Sequence, residues 1–506
     1  MLKKLFCIFL VCVLALSAAG CSKNTTSKPS DKSDAADATD EAGASELEPM
    51  TLTIVFPYIN KAPEDIKMVE EALSKIAQSK INASIKLMPI AYASWNEQFN
   101  LMMSSGTEKV DLLATGLTNS TLSSMVNKGY LLEMDDLLNE YRTGVKEVVG
   151  DYIIGGKVNG KTYSVPTMRD LATSTGLMIM KSFVDKYNID TDAIKSWEEL
   201  TPVLAAIKEG EGKDFKPMFL NASQYTNFTS VMGDQLGDAL GTLAPDSSSA
   251  DVVNRFELEE YRNLVKLINE WYTAGYINID AATTTTTWQD AAKAGTSACW
   301  PNNMKPGQVT NQTNMLGQEI IGIHIGEDVV TTSSLQAAMW SIPFQAENPE
   351  RSMMLLELLY TDSDFFNILC WGIEGTHYVK TEDGHITYPE GITADTTGWG
   401  INMGWIFGDQ FLSYLWEGSD LDLWTKTKEF NDSAKLSPAA GFVFDTTNVK
   451  NEYAACMSVK SEYIRPIETG SVDLSKLDEM NEKLYSSGLQ KIIDEKQKQI
   501  DAFLQK

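Results

Sequence analysis

The sequence predicts an α/β protein of two or three lobes that ends in a helical region. Three observations predict it. Strand and helix patterns alternate over residues 51–115 in the order β-α-β-α-β. The chain has 506 residues, more than one domain of roughly 100–200 residues accounts for. The stretch beyond residue 446 is densely helical in pattern and closes on Leu489, Ile492, Ile493, Ile500 and Phe503.

The elements follow in order. Thr51-Leu52-Thr53-Ile54-Val55-Phe56 is rich in β-branched and aromatic residues, which fit a strand. Pro63 and Glu64 open a helix whose apolar positions Ile66, Met68, Val69, Ala72, Leu73 and Ile76 recur at three and four. Residues 83–90 predict a second strand, and 95–105 a second helix stopped by Gly106. Residues 111–115 predict a short buried strand. The order implies parallel strands with helices on both faces. Ligands of such sheets sit beyond the carboxyl ends of the strands. Tyr58 after strand one, and Thr115 and Thr118 after strand three, are therefore candidate contacts. For the two threonines, helix capping is the rival role. Asn159-Gly160 predicts the turn of a hairpin over 156–166. Helices are expected over 197–207, 256–272 and 349–359, and strands over 294–300 and 320–325.

The N-terminus carries its own signal. Lys3 and Lys4 precede an apolar run over 5–16, which is too short for a membrane span of ~20 residues and fits an export signal. Residues 22–49 contain no aromatic residue and one leucine. Such a segment cannot bury enough apolar surface to offset ordering entropy, so a tether is expected. Net charge is −27, which argues against nucleic acid and against broad adhesion to anionic lipid. Beyond the signal and Cys21, the cysteines are Cys299, Cys370 and Cys456, best read as free buried thiols. The three histidines, His324, His377 and His385, have no zinc-site spacing, and no metal or cofactor is expected.

Ser17-Ala18-Ala19-Gly20-Cys21 resembles a bacterial lipobox, with Ala18 where that pattern prefers leucine. The resemblance implies cleavage before Cys21 and lipid on its thiol. The rival is a plain secretory signal. Further motifs line up in one order: Lys128-Gly129-Tyr130-Leu131-Leu132-Glu133, Asn159-Gly160-Lys161-Thr162-Tyr163-Ser164-Val165-Pro166, Ala294-Gly295-Thr296-Ser297-Ala298-Cys299-Trp300, Asn348-Pro349-Glu350 and Trp371-Gly372-Ile373-Glu374-Gly375-Thr376-His377-Tyr378. Over residues 50–506 the set resembles the family 1 extracellular solute-binding proteins of ABC importers. Its last third is similar to the lipoprotein branch with an extra C-terminal domain of unassigned function. The resemblance implies a two-lobed periplasmic-binding-protein-like fold of type II, with crossings at 165–175 and 337–343. It implies an N-lobe of 50–165 and 340–395, a C-lobe of 166–339 and 396–445, and a helical region of 446–506. It further implies a monomer that captures a carbohydrate for ABC permease subunits, anchored outside the cell membrane through Cys21.

A sugar site needs flat rings and fixed hydrogen-bonding groups. Trp300 ends a predicted strand beside Asn302 and Asn303, and by resemblance its ring would stack on the sugar. A core tryptophan is the alternative. Trp95, with Gln98 near it, either lines the cleft or staples the helix start. Met168, Arg169 and Asp170 lie in the first crossing. Arg169 either donates to the ligand or pairs with Asp170. Glu374 and His377 share a glycine-rich segment, where His377 fits a structural partner better. Trp405, in the cluster of Trp399, Trp405 and Phe407, closes the cleft or packs the C-terminal region. Asn221, Gln224 and Tyr225 are weaker candidates. No catalytic residue is expected. A surface glycoside hydrolase would need two carboxylates ~5–10 Å apart, and 69 acidic residues make a chance pair easy to propose. No nucleophile elbow, His-Glu-x-x-His or P-loop is present. A sensor or adhesin module would share the fold without a permease.

Overall fold

The computed structural model describes residues 47–505 apart from 60, 142, 224 and 246–249. The export signal, Cys21, most of the expected tether and Gln224 lie outside the described residues. The chain opens with β1 (Met50–Tyr58), α1 (Ile66–Ile81), β2 (Ala83–Ala91), α2 (Tyr92–Ser105) and β3 (Leu112–Thr115). Both β2 and β3 run parallel to β1, with Tyr58 opposite Ala91 and Ile54 opposite Leu112. The buried face of α1 is Val69, Leu73, Ala77 and Ile81, whereas Met68, counted in the expected apolar face, is exposed because it lies off that four-residue row. Pro63 stands outside the helix, and the amides of Glu64 and Asp65 donate to the Gly398 carbonyl.

After a hairpin at Lys157–Val158 and Lys161–Thr162 come β4 (Val165–Pro166), β5 (Thr173–Met180), α3 (Glu259–Thr273), β6 (Cys299–Asn302), α4 (Gln308–Leu316), β7 (Ile320–Val330) and β8 (Met339–Ser341). The chain ends with α5 (Pro349–Thr361), α6 (Ser363–Trp371), α7 (Leu423–Ser433), β9 (Lys435–Leu436), α8 (Lys450–Glu468), α9 (Ser475–Ser486) and α10 (Leu489–Leu504). Two main sheets result. The first is ordered β2-β1-β3-β8-β4 and the second β6-β5-β7-β9. Strand β8 returns antiparallel to β3, with Trp340 opposite Ala114.

Three segments join the sheets: residues 167–172, residues 331–338, and α7 leading into β9. The second crossing therefore lies earlier than 337–343, because β8 already belongs to the first sheet. Residues 399–407, expected in the C-lobe, belong to the N-lobe core. Phe407 packs edge-on to Phe56 at 5.2 Å, and Trp340 Nε1 donates to the Ile406 carbonyl at 2.8 Å. Those contacts are long-range, and local periodicity does not report them. The C-terminal helices share one core with Leu240, Phe256, Tyr261 and Val265, so the helical region extends the C-lobe rather than standing beside it.

Asp409 lies beside the first crossing, bridged to Met168 and almost fully buried. Burial pushes its carboxyl up to about 6, against the Phe411 amide and Lys428, which favour the charged form. The folded value exceeds the unfolded one, so the folded state holds the proton more tightly. Stability from this group is full below about pH 4 and is lost as pH rises through about 6. Asp409→Asn keeps an acceptor for the Phe411 amide. It is expected to gain roughly 1–3 kcal/mol at pH 7 and almost nothing at pH 4. Urea unfolding of both proteins at the two pH values checks this.

Candidate functional site

The crossings are tied to one another by side chains. Asn431 of α7 donates from Nδ2 to the Arg169 carbonyl at 2.6 Å. Its Oδ1 accepts from the amides of Leu171 and Ala172 at 2.8 and 3.2 Å. Arg169 donates from Nη2 to the Ser334 carbonyl of the second crossing at 2.7 Å, and from Nη1 to the Asp170 carbonyl at 2.6 Å. Burial pulls the Arg169 pKa down, while Asp170 opposes that shift. The guanidinium thus works as a brace between crossings. Its expected role as a ligand donor is corrected, because its bonds go to backbone carbonyls. Asp170 is more open and pairs with Lys305 at 2.7 Å, a residue of the loop after β6. Met168 is buried, exchanging backbone bonds with Gly408 and Gln410.

The carboxyl ends of β1, β2 and β3 form the N-lobe rim. Tyr58 is half-buried there, while Ile59 and Tyr92 are exposed. Asn96 Oδ1 accepts from the Asn119 amide at 2.6 Å, which links the start of α2 to the loop after β3. Thr118 folds its hydroxyl onto Ser120 and is half-buried. Thr115 differs from expectation. It is fully buried, and its hydroxyl meets Ser164 Oγ at 2.9 Å and Ser341 Oγ at 3.0 Å. That trio binds three strands of the sheet and leaves no hydroxyl for a ligand. Trp95 is also fully buried, with Phe99 one turn along the same helix at 5.9 Å, which makes it a core residue rather than a cleft one. Its indole N–H has no partner among the described residues. Gln98 is exposed on α2.

On the C-lobe side the largest departure is Trp300. It is fully buried, stacks on Trp288 at 4.5 Å, and donates from Nε1 to Gln312 Oε1 at 2.9 Å. Both ring and N–H are spent on the core, so the expected stacking platform is corrected to a core residue. Asn302 is nearly buried, its Oδ1 capping the Asn303 amide at 2.8 Å. Asn303 accepts from Ser174 Oγ at 3.1 Å. The turn at Tyr225–Phe228 covers these strand ends, with Asn227 Nδ2 donating to the Pro301 carbonyl at 3.2 Å. Asn221 holds the Thr286 carbonyl at 3.1 Å.

Other candidates sit on the N-lobe. Glu374 is exposed and pairs with Lys380 at 3.2 Å. His377 is buried between the Ile373 amide, which donates to Nδ1 at 2.9 Å, and Asp65 at 3.1 Å, the structural role expected. Trp405 is half-buried, and its carbonyl accepts from Thr167 at 3.1 Å. Cys299, Cys370 and Cys456 are buried and free, with burial raising each thiol's pKa. No group of three or more metal-ligating side chains is assembled among the described residues.

Each lobe thus presents its own set of polar groups, Tyr58, Asn96 and Thr118 on one and Tyr225 and Asn227 on the other, and Asp170 and Lys305 pair where a crossing meets the loop after β6. Asn431, Lys305 and Asn227 were not found by motif. The only sequence signal was the position of Lys305 and Asn303 just after Trp300. The arrangement offers amides, hydroxyls, an ion pair and half-buried rings, suited to holding a polar solute.

Comparison with known proteins places two domains on the chain. Residues 69–304 match the bacterial extracellular solute-binding protein model, and residues 438–505 match a domain of unknown function, DUF3502. One relative, a carbohydrate ABC transporter substrate-binding protein of Streptococcus pneumoniae serotype 4, is 28% identical over 457 residues, 88% of this chain and 90% of that one. The polygalacturonan/rhamnogalacturonan-binding protein YtcQ of Bacillus subtilis is 22% identical, over 67% of this chain and 68% of its own length. Among solved structures, the N-glycan transport solute-binding protein NgtS of Streptococcus pneumoniae aligns with TM-score 0.77 at 26% identity, over 90% of this chain and 99% of that one. Its complexes with Man1GlcNAc and Man5GlcNAc align at 0.67 and 0.63 with the same identity, again over 90% of this chain and 100% and 99% of theirs. The two streptococcal relatives are binding proteins of transport by name, and the two-lobed fold of type II expected from sequence is the fold observed.

Proposed function

We propose that this chain captures an oligosaccharide between its two sheets and hands it unaltered to an ABC importer. The observation that carries the reading is the set of three crossings between two sheets, braced by Asn431 and Arg169. Segments of that kind act as a hinge, and lobe closure around a ligand is a known response of such folds. The fall in TM-score from 0.77 to 0.63 supports it, since one relative aligns better here without a named sugar than with one. Sugar hydroxyls would take the amides and hydroxyls of Asn96, Thr118 and Asn227, and the faces of Tyr58 and Tyr92 would meet C–H surfaces.

Anchoring completes the proposal. Export through residues 1–20 and lipidation at Cys21 would leave a monomeric body tethered outside the cell membrane, facing permease subunits. Each buried CH₂ of an acyl chain contributes ~0.8 kcal/mol to anchoring. A thermal-shift screen of the full folded body against mono- and oligosaccharides tests the ligand class. A ligand that binds only the folded state at 100 times its Kd stabilises by ~2.7 kcal/mol. A rise of the melting temperature with at least one neutral oligosaccharide is expected. No shift across the set, or recovery of shortened sugar, would sink the reading.

A further inference from the structure

We propose that the C-terminal helical domain is a working part of the solute site. Glu468 of α8 fixes the segment that follows Tyr225, and exposed Arg465, three residues earlier on the same helix, would reach a solute held beside that turn. The proposal rests on the oligosaccharide reading above and assigns that domain a role within it.

The turn at Tyr225–Phe228 packs against β5, β6 and α8 at once. On the sheet side, Thr175 Oγ1 donates to the Asn227 carbonyl, and Asn227 donates to Pro301. These are the strand ends nearest the crossings. On the domain side, α8 packs on the turn, and Arg465 is near enough to the Tyr225 hydroxyl to oppose the rise in its pKa that burial causes. Three residues along the helix, buried Glu468 accepts from Tyr261 Oη at 3.0 Å and Thr229 Oγ1 at 3.5 Å. Positions three apart share a helix face, so both side chains reach the same segment. Arg255 Nη2 donates to the Thr229 carbonyl at 3.3 Å and offsets the charge of Glu468.

The segment continues into a loop held by the same domain. Leu236 and Ala239 have φ of 49° and 61°, a region that side chains seldom adopt. Lys496 of α10 donates to Asp238 Oδ1 at 2.5 Å and to the carbonyls of Leu240 and Gly241 at 2.8 and 3.0 Å. Lys460 of α8 donates to the Asp238 carbonyl at 2.6 Å. Two helices of the domain therefore fix 229–241, and through it the turn at the cleft. Arg465 itself is exposed. A guanidinium has five donors, which the exposed side chain can offer to sugar hydroxyls.

Two measurements on the full chain test this. In the first, hydrogen exchange is read without ligand. Glu468→Gln is expected to speed exchange at 225–230 about tenfold while amides of β1 to β3 stay unchanged. Should that variant fail to fold, Thr229→Val carries the same measurement. In the second, Man5GlcNAc and the other screened oligosaccharides are titrated against Arg465→Gln. Affinity is expected to fall about tenfold, the range for a hydrogen bond to a charged group, at an unchanged melting temperature, with Arg465→Lys restoring part. Wild-type affinity in Arg465→Gln, or unaltered exchange in the buried-site variant, overturns the proposal. A wild-type chain that binds no oligosaccharide overturns the carbohydrate reading instead, and the exchange result still decides whether the domain fixes the turn.

Discussion

Trp300→Ala is expected to destabilise the protein by about 3–5 kcal/mol, the range for emptying a buried tryptophan site. The ring fills the space between Trp288, Met178, Leu316 and Ile320. Its N–H is the partner of Gln312, itself buried. Truncation leaves both a cavity and an unpaired amide oxygen, and an orphaned buried acceptor costs ~1–3 kcal/mol. The position is far enough inside the lobe that folded Trp300→Ala should bind ligand as the wild type does. Urea unfolding measures the first effect and titration the second. A variant of normal stability and lost affinity would return Trp300 to the ligand site.

Lys496→Met is the second large effect, with an expected loss of about 3–5 kcal/mol, as when one partner of a buried pair is removed. The ammonium is fully buried, and burial lowers its pKa while Asp238 raises it. Methionine fills much of the same volume but makes none of the three bonds. The Asp238 carboxylate, 8% exposed, then loses its ion-pair partner and keeps the Leu240 amide. A double variant, Lys496→Met with Asp238→Asn, should recover part of the loss, since neighbours of one network couple by ~0.5–3 kcal/mol. Additive losses in the double-mutant cycle would mean that the pair is not coupled.

Local signals in the sequence carried far where the structure is local. The alternation over 51–115 became three parallel strands and two helices, because each element has its own apolar period. Asn159 and Gly160 have φ of 51° and 80°, as a tight hairpin turn requires. Asn348 caps α5 through the Arg351 amide. The candidate site was less legible. A strand buried on both faces shows no alternation that separates ligand side from core side, which is why Trp300 read as a platform. Thr115 read as a free hydroxyl because Ser164 and Ser341, its partners, lie 49 and 226 residues away. Asn431 carried no motif at all, since its work is to bridge crossings that meet only in the folded chain.

Two of the motifs nevertheless lie together in the fold. Asp170 and Arg169 do stand at a crossing, and the loop after Trp300 does reach it through Lys305. What changed is the division of labour. Arg169 holds the hinge, Asp170 meets the other lobe, and the half-buried surface moves to Tyr58, Asn96 and the turn at Tyr225.

Small-angle X-ray scattering of the folded body, alone and saturated with whichever neutral oligosaccharide raises its melting temperature, addresses the mechanism most directly. The braced-crossing account predicts a smaller radius of gyration in the saturated sample and recovery of the sugar at its original length. An unchanged radius with the sugar bound would contradict it.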